Sequence, residues 1–107
     1  MYMIDLIAVV QEVQEVRQIQ MKTGELRDRK QVTFVDDTGV SIMATLWGSD
    51  MAGLDLQVGQ VVAIKGARVS EYGGKSLNMG SDHAQLRLDP DEEPRCHELQ
   101  RWYKKQT

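Results

Sequence analysis

The sequence predicts a small, mainly β barrel carrying a short C-terminal helix. Two observations lead there. Several stretches alternate apolar and polar residues with a period of two and are separated by Gly- and Asp-rich turns. A break at Asp89-Pro-Asp-Glu-Glu-Pro94 then divides this strand-like body from a tail with helical character. With 107 residues, the chain has room for one core and not for two.

The elements follow in order. Ile4 to Met21 is ambiguous by pattern alone. Val9, Val13 and Val16 have helical spacing among Gln and Glu, yet the valines and isoleucines suit a strand. Gln31 to Val35 alternates, Asp36-Asp37-Thr38-Gly39 supplies a turn, and Val40 to Trp47 alternates again. This predicts a hairpin with Val40, Ile42, Ala44 and Leu46 on a buried side and Ser41, Met43, Thr45 and Trp47 on the other. Gly48 to Leu56 reads as a connector with one helical turn begun by Ser49 or Asp50. Gln60 to Ser70 is a strand with a bend or bulge at Gly66, placing Ala67 and Val69 inside and Arg68, Ser70 and Tyr72 outside. Gly73-Gly74 turns the chain into Lys75 to Met79, with Leu77 and Met79 inward, and a last strand covers Ala84 to Leu88. The tail, Pro94 to Lys105, has a proline in its first turn, acids before it and Lys104 and Lys105 at its end, as the helix dipole favours. The expectation is one domain over 1–107, with a barrel of about five strands at 4–88 and a helix at 94–105.

Composition excludes several classes. Hydrophobic residues make up 41% and charged residues 27%, within the globular range. The apolar stretch Leu6 to Val10 is far shorter than the ~20 residues of a membrane span. No basic region precedes it, so no signal peptide is read. Cys96 is the sole cysteine, which excludes an internal disulfide and fits a reducing compartment. The expectation is a soluble intracellular domain that touches no membrane.

The net charge of −3 argues against a generally basic nucleic-acid binder. Its distribution says more. Residues 17–31 hold a local +3 and residues 65–75 a local +2, leaving −8 on the remainder. A positive face on an acidic body is therefore available, and steering depends on the local field. Trp47 and Tyr72 fall on outward positions among polar neighbours, where a monomer seldom leaves large aromatics. Each has a structural reading: Trp47 packed under the 48–56 connector, and Tyr72 in a cross-strand pair. Beside Arg68, Lys75 and the basic 17–31 segment, a second reading gains weight. Aromatic platforms for bases with cations for phosphates are what single-strand binding needs.

Other constellations carry less. Cys96, His97 and His83 are three candidate ligands where a structural zinc takes four, so no metal is expected. A buried thiol and a surface imidazole account for the Cys96-His97 pair. Asp36-Asp37 and Glu92-Glu93 suit a turn and a helix start, and Gly73-Gly74 is too short to cradle phosphate. Trp102 reads as an anchor for the tail helix. No nucleophile–base pair is visible, so neither catalysis nor a cofactor is expected.

The runs Ala44-Thr-Leu-Trp-Gly48, Ala63-Ile-Lys-Gly-Ala-Arg-Val-Ser70 and Tyr72-Gly-Gly-Lys-Ser-Leu77 closely resemble the second single-stranded-DNA-binding OB domain of the replication protein A large subunit, or a close paralogue. Asp89-Pro and Leu99-Gln-Arg-Trp102 resemble its end, so the match runs from about Asp5 to Trp102. The resemblance implies an OB-fold, a five-stranded Greek-key barrel, and makes residues 4–21 its long bent first strand. It implies single-stranded DNA bound with low sequence preference, and a nuclear role in replication, repair, recombination or telomere maintenance. Neighbouring OB domains and other subunits of a replication protein A-like complex are the partners it implies. Carried over by position, Trp47 and Tyr72 stack on bases, and the family hairpin more often has phenylalanine where Tyr72 stands. Arg68, Ser70, Lys75, Arg29 and Lys30 match contact positions, and Lys22 and Arg27 lie in a first loop that follows the pattern loosely. The family's upstream strand and acidic linker are missing, which suggests an excised segment or an unusual relative. The rival reading is a protein-interaction OB domain that kept the barrel and lost its strand contacts, which the net acidity favours.

Overall fold

The computed structural model describes residues 2–71 and 74–106. Strands β1 (Tyr2–Val13), β2 (Arg17–Gln20), β3 (Leu26–Val35) and β4 (Ser41–Trp47) come first. Helix α1 (Gly48–Ala52) leads to β5 (Val61–Ser70), β6 (Ser76–Gly80) and β7 (Gln85–Leu88), and α2 (Pro94–Gln106) ends the chain. Hydrogen bonding runs β1-β3-β4-β6-β5, and β5 pairs back with β1, which closes the ring. All these pairings are antiparallel except β4–β6, which is parallel. The expected five-stranded closure is thus present, with two short additions. β2 continues the first strand beyond residues 14–16 and pairs with β3, and β7 pairs with the first half of β5.

The first strand bends because it must serve two partners. Between Val10 and Glu12 the register with β3 slips by one residue, so β1 crosses from β5 to β3 through a bulge. The β1–β5 register slips again between Ile4 and Leu6, opposite the Ile64–Ala67 stretch that contains Gly66. Gly66 has φ +77, and its N–H donates to Asp5 Oδ1 at 2.9 Å. This is the bulge the sequence pattern placed there.

Alternation fills the barrel. Val10, Val32, Phe34, Ala44, Leu46, Val62, Ile64, Ala67, Val69, Leu77 and Met79 are buried in one cluster. A second cluster, Val9, Val35, Val61, Cys96 and Leu99, lies under α2, with Trp102 and Tyr103 packed against it. Neighbours such as Val9 and Val10 are buried on opposite sides of the sheet, which is why these runs are continuously apolar. Trp102 is the anchor expected of it. Burial, then Asp91 and Asp89, push the Cys96 thiol above its ordinary pKa, so it stays neutral.

Two readings need correction. Val40 is exposed: Asp36 accepts hydrogen bonds from Thr38, Gly39 N–H closes on Asp36 O, and β4 begins only at Ser41. Helix α1 begins at Gly48, with Trp47 at the cap position and no side chain capping it, so neither Ser49 nor Asp50 starts the turn. The hairpin tip is instead tied to α2. Arg95 donates to both carboxylate oxygens of Asp37 and to Glu98 Oε2. The Arg95 hydrogen bond holds the Asp37 carboxyl below the ordinary carboxylate range. A depressed folded-state pKa means this tie acts above the unfolded value and is lost as pH falls through the folded one.

Candidate nucleic-acid interface

Strand pairing carries outward side chains of six strands into adjoining rows. In the first row Arg17, Arg29, Trp47 and Gly80 are successive partners across β2, β3, β4 and β6. In the second, Gln31, Thr45, Asn78, Arg68 and Met3 follow from β3 to β1. In the third come Thr33, Met43, Ser76 and Ser70. Beyond Thr33 the third row continues to Glu12 of β1, so the one acid in these rows stands at their far margin from Trp47.

Trp47 is the fixed point of this face. It is half-buried, and its indole N–H donates to Asn78 Oδ1 at 3.4 Å. The guanidinium carbons of Arg27 and Arg29 lie 5.7 and 6.0 Å from the ring centroid, within cation–π range. The ring is therefore oriented before any ligand arrives, which lowers the ordering cost of binding. A groove of about 360 Å³ opens beside it, lined by Arg27, Trp47, Arg68, Asn78, Asp82 and His83 among others. The indole lines this groove beside its cations.

The structure thus gathers Trp47, Arg27, Arg29 and Arg68 at one place. Ser70 is half-buried opposite Ser76 at the end of the same face. Lys75 is exposed just before β6, and Lys22 is exposed in the turn joining β2 to β3. Tyr72 lies outside the described residues. Lys30 must be withdrawn: it is 8% exposed, and its ammonium donates to Leu54 O at 2.7 Å. Its parity is that of Val32 and Phe34, so it points inward at the barrel end under α1. Strand register adds Arg17, Gln31, Thr45 and Asn78 to the same face. Arg17 was visible as charge, but the register that sets it beside Arg29 is not a local property of sequence.

Comparison with known proteins agrees with this geometry. Residues 1–87 match the family model described as the replication protein A OB domain. Replication factor A protein 1 of Saccharomyces cerevisiae is 37% identical over 101 residues, covering 94% of this chain and 16% of that protein. The chain therefore spans about a sixth of that relative's length. Among solved structures, a replication protein A heterotrimer bound to single-stranded DNA superposes with a TM-score of 0.84 at 29% identity, covering 96% of this chain and 24% of that one. The second OB-fold domain of replication protein A from Methanococcus maripaludis shares the fold, with a TM-score of 0.64 at 22% identity over 80% of this chain and 82% of that one. Closed barrel, parallel β4–β6 pair, matched family model and matched relatives place this chain in the family of replication protein A OB domains.

Proposed function

We propose that this domain binds single-stranded DNA, as a non-catalytic module of a nuclear, replication protein A-like assembly. The carrying observation is the outer face on which Trp47 stands within cation–π range of two guanidiniums. Bases stack on the indole whatever their identity, while Arg17, Arg29 and Arg68 meet phosphates or base edges. Lys22 and Lys75 extend the positive field at the margins, and Tyr72 supplies a second ring in this reading. One such domain binds weakly, and neighbouring OB domains and subunits raise affinity through effective concentration.

The test is tryptophan fluorescence during titration with oligo-dT, using a Trp102→Phe variant so that Trp47 is the sole reporter. Single strands should quench it and duplex should not. Affinity should fall linearly in log salt, with a slope of about −0.7 for each phosphate neutralised. No response at low salt and high protein concentration overturns the reading in favour of a protein-interaction domain.

A further inference from the structure

The turn after β6 carries two side chains with no part in the reading above, Asp82 and His83. Gly80 pairs with Trp47, and a Cβ on Gly80 would lie 2.8 Å from Asp82 Oδ1 and 3.6 Å from His83 Nε2. The missing side chain lets both groups fold back over the strand end, into the place beside Trp47 where that side chain would stand. His83 Nδ1 lies 3.0 Å from Gly66 O. A carbonyl only accepts, so Nδ1 carries the proton of the neutral ring and Nε2 is left as an acceptor. Nε2 and Asp82 Oδ1 are 3.7 Å apart, too far to be hydrogen-bonded to each other. The groove thus has two acceptors side by side at one wall. Arg27 and Arg68, which are donors only, also line it.

Resting on the single-strand reading and deepening it, we propose that this groove reads one base by its edge and selects guanine. Guanine presents N1–H and N2–H₂ as adjacent donors on its Watson–Crick edge, and O6 and N7 as acceptors beyond them. Stacked on Trp47, it gives the donors to Asp82 and His83 and the acceptors to an arginine. Thymine turns carbonyl oxygens toward the Asp82 carboxylate on both sides of its N–H. Cytosine and adenine each offer one amino group beside an unprotonated ring nitrogen, which satisfies one acceptor and repels the other. The preference acts at one position within an otherwise tolerant site.

The experiment is fluorescence anisotropy with labelled dT oligonucleotides of about ten residues, within the span of one OB domain. In each, one central residue is dT, dG, dA or dC. The dG strand should bind about tenfold more tightly than all-dT, the scale of one good bidentate base contact. Asp82 has a side chain 78% exposed, so its replacement leaves the fold intact. Asp82→Ala should bring dG and dT strands to parity while dT affinity holds or rises, and Asp82→Asn should lose most of the preference at unchanged shape. Equal affinities in the unaltered protein, a preference for dA or dC, or a dG preference surviving Asp82→Ala overturns the guanine site. Failure of all four strands to bind overturns the single-strand reading itself.

Discussion

Trp47→Ala is expected to weaken oligo-dT binding by about 1–3 kcal/mol, roughly 5- to 150-fold, the range seen for one base–aromatic stack. The loss is expected at the high end. Removing the ring also frees Arg27 and Arg29, which then pay side-chain entropy to reach phosphates that they now approach from fixed positions. Trp47→Phe keeps a π-face and gives up the N–H to Asn78, so it should recover most of the affinity. Equilibrium anisotropy measures both variants, and urea unfolding checks that each stays folded. Unchanged affinity in a folded Trp47→Ala protein would remove the indole from the interface. Adding Tyr72→Ala should leave only the salt-sensitive electrostatic part of binding.

Gly66→Ala carries the second large effect, on stability. At φ +77 an alanine costs about 1–2 kcal/mol, because its Cβ crowds the following carbonyl. Here the Cβ would also stand 2.3 Å from His83 O, a backbone atom that no side-chain rotation can clear. Overpacking of this kind adds about 1–3 kcal/mol, for a total of roughly 2–5 kcal/mol. Gly24→Ala is the matched control, with φ +88 and open space around its Cβ, so it shows the conformational cost alone. Urea midpoints at constant m compare the two. Equal losses would show that the close approach of β5 to the 80–84 turn contributes nothing.

Much of this fold is legible locally. The strands at 41–47 and 61–70 follow from alternation, the bulge from Gly66, and the helix at 94–106 from its proline, acids and terminal lysines. The first strand was not legible by period, because its bulges break the alternation and both faces of Val9-Val10 are buried. Lys30 was misread for a simpler reason. Carrying the 31–35 alternation back two residues puts Lys30 with Val32 and Phe34, and Arg29 with Gln31 and Thr33. Arg29 therefore faces out and Lys30 in, as the structure has them. The rest of the site depends on pairings between distant segments. Gly80 reaches Trp47, and Asn78 meets both Thr45 and Arg68, only because β6 lies parallel to β4 and antiparallel to β5. No window of sequence contains that information.

The short strand β2 is hydrogen-bonded to β3 along one edge, while β3 at its other end is held by both β1 and β4. Opening the β2–β3 ribbon breaks one ladder and exposes little apolar surface, so its amides should exchange with solvent deuterium well before those of the barrel. The ribbon also carries Arg17, Arg27 and Arg29. A bound strand that pins these cations must slow that exchange at 17–20 and leave the barrel amides unchanged. Ligand occupancy would then be readable, without any label, as a local rise in protection of this ribbon.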